Sequence, residues 1–415
     1  MKKLLLYSSL LLFTMGSLNA QQFDPENPTR PYMNTVTTAA PFLLIPPDSR
    51  SGGMADMGVA TSPDLWSQHH NPAKYVFNND VFGIGVSYAP WLKQLVNDIH
   101  LVDLATFWKI TENDAIAFSL KYFSLGEIQF TNENGDKLYL ANPNEFSLDF
   151  SYSRKLSKIV SMALTPRFVY SNLGTGFQSQ NAGSEMKAGL AGAVDISLFV
   201  NKEFIHHKDG LKSSELLFGF CISNIGNKIS YTNEDARRDF LPTNMRLGLT
   251  YAMSFDDYNK LAISVEAGKL LVPTPSQKIS DTINDEIVST IYGNSGKYHT
   301  DFNPIVGIGR SFYGAPGGVN EKFREVVWSA GLEYSYRDIL FVRAGTFLEN
   351  KYKGNRKFAT VGVGLKYSIF AVDVSYLFAF TQHHPLENAL RFSLSFLLKS
   401  FNKEQIKTQN QINRN

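Results

Sequence analysis

The sequence predicts an all-β protein: a 14-stranded antiparallel β-barrel that crosses a membrane. Three observations support this prediction. The chain starts with an export signal, apolar and polar side chains alternate along many segments, and the connections between those segments alternate between short and long. Alternation predicts strands with one apolar face, and a membrane barrel turns that face toward lipid.

The first twenty residues have the parts of a secretory signal peptide. Lys2 and Lys3 supply positive charge, residues 4–13 are apolar, and small residues precede a cleavage site after Ala20. The apolar run is shorter than the ~20 residues of a spanning helix, and an uncleaved anchor is the alternative. No later stretch is long and apolar enough to span. We therefore expect an exported protein that is not a helical membrane protein.

The composition excludes several classes of function. The 415-residue chain has 40 Lys and Arg against 38 Asp and Glu, which argues against a nucleic-acid binder. The single cysteine, Cys221, excludes an intramolecular disulfide and a cysteine-based zinc cluster. Aromatic residues are abundant at 13%, so this is not the composition of a disordered chain.

Most of the chain after residue 80 alternates with a period of two. In residues 146–153 aromatic and aliphatic side chains alternate with Ser and Asp, and residues 390–398 alternate in the same way. The runs have roughly 9 to 15 residues, about what a tilted strand needs to cross a bilayer. Many end in aromatic residues, which membrane interfaces favour. A soluble β-sandwich, with shorter strands, is the alternative.

This pattern predicts fourteen strands, an even number as in bacterial single-chain barrels. They lie near residues 81–89, 99–109, 114–123, 145–154, 158–171, 186–200, 214–224, 243–253, 258–269, 324–336, 338–347, 357–368, 369–379 and 389–399. Short turns on one side and long loops on the other are typical of outer-membrane barrels, and they put both termini on the periplasmic side. One connection, 201–213, does not fit this alternation, because it is long but lies on the side of the short turns.

The segment 21–80 does not alternate. Its eight prolines disfavour long strands. A fourteen-stranded barrel is wider than side chains alone can fill, and the apolar run 42–45 and Trp66 would avoid water. We therefore expect a plug in the lumen, with a periplasmic tail as the alternative. The predicted domains are a signal peptide (1–20), an N-terminal plug segment (21–80), the barrel (81–400) and a polar tail (401–415).

A block in this segment resembles a known family. It contains Asp48, Arg50, Gly52, Gly53, Asp56 and Gly58-Val59-Ala60-Thr61, and Asn71-Pro72-Ala73-Lys74 follows. Together these residues resemble the PorV family, outer-membrane shuttle proteins of the type IX secretion system. Residues 315–318, 353–356 and 361–367 are similar to the same family. The triplet Asn71-Pro72-Ala73 is also similar to the hatch motif of FadL-like fatty-acid transporters. The resemblance assigns a plug or hatch motif to Asp48, Arg50, Gly52, Gly53, Asp56, Asn71, Pro72 and Ala73.

The resemblance implies a FadL-like barrel in the Gram-negative outer membrane, without catalysis or cofactor. Members of the family bind the conserved C-terminal signal domain of cargo proteins, which they meet at a giant SprA/Sov-like translocon barrel. They carry the cargo to a PorU-like sortase complex, where the signal is removed and the cargo is joined to lipopolysaccharide in many members. Two other functions stay open: FadL-like transport of hydrophobic small molecules, and a barrel that only braces a larger complex.

Potential catalytic and metal-binding residue types lack the required arrangement. Neighbouring histidines at 69–70, 206–207 and 383–384 would point to opposite faces of a strand, so a pair is poorly placed to hold one metal. The glycine-rich stretches 307–310 and 315–318 lack the Lys-Ser/Thr of a phosphate loop. No spacing joins Ser, His and an acid. We expect no metal and no enzymatic activity. Inward charges are expected to pair with the plug rather than to guide a solute; they include Asp149, Arg246, Arg343, Lys366, Asp373 and Arg391.

The outward loops are the expected site of cargo contact, because they are what the barrel presents to the surface. Protein interfaces favour aromatic anchors. This criterion selects Trp91 in the first loop, Phe177 in a second, and Tyr231 and Phe240 in a third. For Trp91, contact with interfacial lipid is the alternative.

Overall fold

The structure, a computed structural model, describes residues 24, 26–27, 30–91, 98–131, 134–174, 187–206, 210–232, 238–283, 286–380 and 389–399. The predicted signal peptide and polar tail lie outside these residues, and so does Phe177.

The described chain is mostly strand. The strands are β1 (Asp80–Pro90), β2 (His100–Lys109), β3 (Asp114–Ser124), β4 (Ile128–Thr131), β5 (Lys137–Ala141), β6 (Asn144–Lys155), β7 (Val160–Asn172), β8 (Gly189–Ile205), β9 (Ser213–Gly226), β10 (Asn244–Ser254), β11 (Asn259–Leu270), β12 (Gln277–Ile283), β13 (Glu286–Tyr292), β14 (Val327–Tyr336), β15 (Leu340–Leu348), β16 (Lys357–Tyr367), β17 (Phe370–Ala379) and β18 (Leu390–Lys399). The helices are short: α1 (Ser49–Gly52), α2 (Ser67–His70), α3 (Pro304–Arg310) and α4 (Gly318–Arg324), with 3-10 turns at Pro41–Leu44, Pro72–Phe77, Asn294–Gly296 and His299–Asp301.

Fourteen of the strands form one closed antiparallel barrel. The barrel closes because β1 pairs with β2 on one edge and with β18 on the other, where Ile84 lies opposite Phe396. Closure leaves no open sheet edge, so the backbone groups of the wall can pair within the sheet, as lipid requires. The predicted fold class and all fourteen predicted strands are confirmed, with bounds that mostly shift by one to three residues.

Two features of the connections differ from the prediction. β8 continues to Ile205, which pairs with Ser213 of β9, so most of the long connection at 201–213 is sheet. The long loops also contain two hairpins, β4–β5 and β12–β13, that are separate from the barrel. Their strands have four to seven residues, too short for the length criterion of a membrane strand.

The two ends of the barrel differ in their connections. Short turns such as 110–113 join strands at one end, which we call the short-turn end. The other end, the long-loop end, carries both hairpins together with α3 and α4. β1 begins at the short-turn end, where Asp80 pairs with Lys399.

The wall is apolar outside and small or polar inside. In β1, Ile84, Val86 and Tyr88 are exposed, whereas Gly85 and Ser87 between them are buried. An apolar belt of this kind suits contact with lipid. Among the described residues, no helix has the length and apolar character to cross a membrane.

The chain before β1 lies against the inner face of the wall. Most residues of 39–78, which we call the lumen segment, are buried. Four well-separated strands bond to it, through Ser87 of β1, Ser153 of β6, Glu266 of β11 and Thr360 of β16. The segment therefore fills space that the wall encloses.

Candidate functional site

Asp48 caps the first short helix of the lumen segment. Its carboxylate accepts hydrogen bonds from the backbone N–H of Ser51 at 2.8 Å and from the Ser51 hydroxyl at 2.7 Å. Nε2 of His70 lies 3.2 Å from the same carboxylate. Burial lowers the pKa of His70, so the ring is neutral near pH 7. Burial alone would raise the pKa of Asp48, but the hydrogen bonds from His70 and Ser51 hold that pKa well below its usual range.

Arg50 ties α1 to the barrel wall. Its guanidinium donates to both carboxylate oxygens of Glu333 on β14, at 2.9 and 2.8 Å, and to Asp64 at 2.7 Å. Glu333 also accepts from Arg343 of β15 at 2.6 Å, and Arg343 donates to Asp373 of β17 at 2.5 Å. Positive and negative groups alternate through this network, which compensates the cost of burying each charge.

Gly52 and Gly53 allow α1 to approach the wall closely. A Cβ atom on Gly52 would lie 2.6 Å from Oγ of Ser375, and one on Gly53 would meet the backbone of Gly362. Any larger residue would push the helix away from β16 and β17.

Asp56 links the lumen segment to the long-loop end. Its backbone has a φ of 64°, and its carboxylate accepts a hydrogen bond from Arg391 of β18 at 2.6 Å. The guanidinium of Arg391 lies 5.8 Å from the ring centroid of Trp91, within the range of a cation–π contact. One arginine thus joins a predicted plug residue to a predicted cargo-binding residue.

The Asn71-Pro72-Ala73 triplet bonds to the opposite part of the wall. The side chain of Asn71 accepts from the N–H of Ala73 at 3.1 Å and donates to the carbonyl of Leu198 on β8 at 3.0 Å. The carbonyls of Pro72 and Ala73 accept from the hydroxyls of Ser153 and Ser161, at 2.8 and 2.6 Å. The triplet therefore fixes the backbone of the segment to β6, β7 and β8.

The inward charges have partners. Arg246 lies 3.2 Å from Nδ1 of His70, in the lumen segment. Asp149 accepts from Arg167 at 2.6 Å, within the wall, and Lys366 donates to Asp80 at 3.0 Å. Arg246 and Arg391 thus pair with the lumen segment, whereas the other predicted inward charges pair along the wall.

The histidine pair at 69–70 lies in the lumen and not on a strand. The two rings meet edge to face, 4.9 Å apart, and Nδ1 of His69 is 2.9 Å from Nζ of Lys121. Burial and then the charge of Lys121 lower the pKa of His69 well below its usual value. Across the described ranges, no three His, Cys, Asp or Glu side chains are grouped so that they could hold a metal. His207 and the pair 383–384 lie outside those ranges.

The structure places three of the four predicted cargo-binding residues at the long-loop end. Trp91 and Tyr231 are partly buried and pack against the same apolar cluster. Phe240 is only 6% exposed and packs separately, against Val272 and Phe302. Phe240 is therefore a buried packing residue of the loops and not the exposed anchor that its aromatic character predicts.

Several exposed apolar side chains lie on the connection 271–326, which we call the mouth loop. Ile305 is 80% and Phe323 is 73% exposed. The set of exposed apolar side chains in and around α3 and α4, which we call the apolar face, is Ile305, Val306, Phe312, Tyr313, Val319 and Phe323. Sequence reasoning missed it, although residues 302–320 contain apolar side chains and a single charged residue, Arg310.

A buried charge cluster holds the mouth loop on the barrel. Lys353 donates to Glu321 at 2.5 Å and lies 3.3 Å from Glu325, and Lys269 of β11 donates to Glu325 at 2.6 Å. Burial lowers the pKa of Lys322, 3.5 Å from Glu325, to about 8. All five side chains belong to residues that are at most 8% exposed, and the pairs tie α4 and its end to β11 and to the connection after β15.

A closed barrel with an apolar belt, long loops at one end and a filled lumen is the structure of an outer-membrane β-barrel protein. Residues 28–277 match the family of the type IX secretion system protein PorV. Because this match spans more than half of the chain, the chain belongs to the PorV family, and the resemblance predicted from the lumen block is confirmed.

Several solved barrels are similar at low identity. A FadL homologue from Pseudomonas aeruginosa is 13% identical with a TM-score of 0.42, over 88% of this chain and 99% of that one. The toluene transporter TbuX of Ralstonia pickettii is 10% identical with a TM-score of 0.46, over 86% and 99%. The toluene transporter TodX of Pseudomonas putida is 11% identical with a TM-score of 0.47, over 84% and 96%. No curated protein matches this chain.

Proposed function

We propose that this protein binds the C-terminal signal domain of secreted cargo at its long-loop end and passes the cargo from the translocon barrel to a PorU-like sortase complex. Membership of the PorV family makes the chain an outer-membrane component of type IX secretion. The observation that carries the shuttle role is the apolar face of the mouth loop.

The apolar face has the properties of a protein interface. It presents three aromatic side chains, Phe312, Tyr313 and Phe323, and aromatic residues dominate the energy of such interfaces. The acidic residues of α4 and its end, Glu321 and Glu325, are buried and paired beneath it, so a partner would not have to desolvate them. The buried pairs of Glu321 and Glu325 anchor α4 before a partner binds, which lowers the entropy cost of binding.

The lumen segment acts in this proposal as a plug. Arg50 bonds to β14, Asp56 to β18, and Asn71 to β8, so the segment bridges distant parts of the wall. Cargo recognition takes place at the outer mouth and requires no passage of the cargo through this barrel.

The binding surface is tested by removing its two most exposed side chains. In Ile305→Ser/Phe323→Ser, the affinity of the solubilised protein for a purified cargo signal domain should fall at least tenfold, about 1.4 kcal/mol. The matched control is Ile205→Ser, because Ile205 is 72% exposed at the short-turn end. Biolayer interferometry measures both. Equal affinities for the double variant and the unchanged protein would refute the proposed surface.

A second candidate function is transport of a hydrophobic small molecule. A cavity of about 510 Å³ lies between the lumen segment and the long-loop end, and Val36, Leu44 and Phe347 form part of its lining. The lining also contains Arg246, Glu266 and six further charged side chains, which disfavours an apolar ligand. Mass spectrometry of lipids that stay bound through purification distinguishes the two functions: a stoichiometric fatty acid would favour transport.

A further inference from the structure

Residues 30–38, which begin the first continuous stretch of the described chain, lie at the long-loop end of the barrel. We call residues 30–38 the strap. The backbone N–H of Asn34 donates to the carbonyl of Tyr352, between β15 and β16, at 3.1 Å. Its side chain donates to Glu321 of α4 at 2.9 Å, and its carbonyl accepts from Lys353 at 2.8 Å. All three partners belong to long connections, so Asn34 is held at the mouth.

The chain then crosses the lumen once. Ala39 donates to the carbonyl of Phe240 at 2.9 Å, still at the long-loop end. The carbonyl of Asn78 accepts from Lys109, the last residue of β2, at 2.8 Å. Lys109 lies at the short-turn end, where β1 begins. The lumen segment therefore enters at the mouth and leaves at the opposite end.

The described residues before the strap stay close to the mouth. Arg30 is four residues from Asn34, which limits their separation to about 14 Å. Asp24 is tied to Arg30 by an ion pair of 3.5 Å, and Arg30 donates to the carbonyl of Asn27 at 3.0 Å. A tilted strand such as β1 makes the wall about 25 Å high. This tether is too short to return Asp24 to the short-turn end.

We propose that the described residues from Asp24 to Thr38 lie on the cell surface, where Glu321 and Lys353 lock the strap to the long-loop end. The lumen segment is then threaded from outside to inside. It differs from a plug hinged on the periplasmic side, because both of its ends are anchored, one by Asn34 and one by β1. This inference does not rest on cargo binding, and it replaces the predicted periplasmic N-terminus.

Cysteine labelling of intact cells tests the topology. In a Cys221→Ala background, Glu26→Cys should react with a membrane-impermeant maleimide to the same extent as Asn320→Cys, a control in the exposed start of α4. Ser157→Cys, in an exposed short turn between β6 and β7, should react only after the outer membrane is permeabilised. Residue 26 would then share the compartment of the mouth loop.

The result that overturns the proposal is a Glu26→Cys variant that reacts only after permeabilisation, as Ser157→Cys should. If that variant fails to insert, an epitope tag between Glu26 and Asn27 gives the same readout with an antibody on intact cells. Staining of intact cells supports the proposal, and staining only after permeabilisation contradicts it. The cargo-binding result for Ile305→Ser/Phe323→Ser does not affect this test of the N-terminal topology, so the two proposals can fail separately.

Discussion

Gly53 of the lumen segment and Gly362 of β16 face each other with no room for a side chain on either residue. A Cβ atom on Gly53 would lie 2.9 Å from Cα of Gly362, and one on Gly362 would lie 3.0 Å from Cα of Gly53. Both contacts are backbone to backbone, so no flexible side chain can move aside. This contact sets how closely α1 can approach the wall and keeps Arg50 within reach of β14.

Gly362→Ala should therefore destabilise the barrel. Overpacking of a closely packed contact costs roughly 1–3 kcal/mol, and it should shift the heat-induced mobility change on gels to a lower temperature. Gly192→Ala is the matched control within a strand, because its nearest neighbour, Oδ1 of Asn227, is 3.9 Å away. Equal shifts in the two variants would mean that the close approach of α1 is not required.

Arg50→Met should destabilise the protein more than any exposed ion-pair variant. It leaves Asp64 without its cation and removes one of the two arginines on Glu333. Breaking a buried pair from one side costs about 3–5 kcal/mol. Lys260→Met, which removes an exposed pair with Asp338, should cost at most about 1 kcal/mol. Chemical unfolding in detergent gives both values, and similar costs would contradict the network.

The buried histidines predict that acid weakens the fold. The pKa values of His69 and His70 lie below 6.5 in the folded protein, so below about pH 6.5 the unfolded chain binds protons that the folded chain does not. The contribution of these two histidines to stability is therefore full above pH 6.5 and is lost progressively as the pH is lowered. The depressed pKa of Asp48 adds a further loss only below about pH 4.

Thermal unfolding at pH 7.5 and pH 5 measures this dependence. The double variant His69→Gln/His70→Gln should lose much of the difference between the two pH values. His100→Gln, whose side chain is on the outer face of β2, is the control and should keep it. If the double variant kept the full pH dependence of stability, titratable groups other than His69 and His70 would be responsible for it.

The sequence predicts the strands of the barrel wall better than it predicts the contacts of the lumen segment inside the wall. Strand positions follow from a period of two and from the length that a bilayer demands, and both signals are local. The contacts of the lumen segment, such as Arg50 with Glu333, join residues 283 positions apart, and no local pattern encodes such a pair. Strand parity sets the end at which β1 begins, but it does not constrain a segment that lies outside the sheet, such as the chain before β1.

The apolar face and Phe240 also show that a local sequence pattern does not predict which side chains distant residues bury. Phe240 was selected as an exposed anchor because it is aromatic and lies in a loop, yet Val272 and Phe302 bury it. Ile305 and Phe323 flank glycine-rich stretches that lack the Lys-Ser/Thr of a phosphate loop, and no local pattern marks the two side chains as exposed. Their exposure depends on the cluster around Glu325, whose members come from β11, α4 and the connection after β15.

Lys353→Met should release the strap while leaving the barrel folded. Lys353 donates to the carbonyl of Asn34 and to Glu321, so its loss removes two of the contacts that lock the strap. Hydrogen exchange of the peptide 31–39 should become about tenfold faster, because Asn34 and Ala39 donate backbone hydrogen bonds that protect their N–H groups only while the strap is docked. Peptides from β14 to β18 should exchange as before, and Lys260→Met should leave the strap protected. Unchanged exchange of residues 31–39 in Lys353→Met would mean that apolar packing, and not the charge cluster, holds the strap at the mouth.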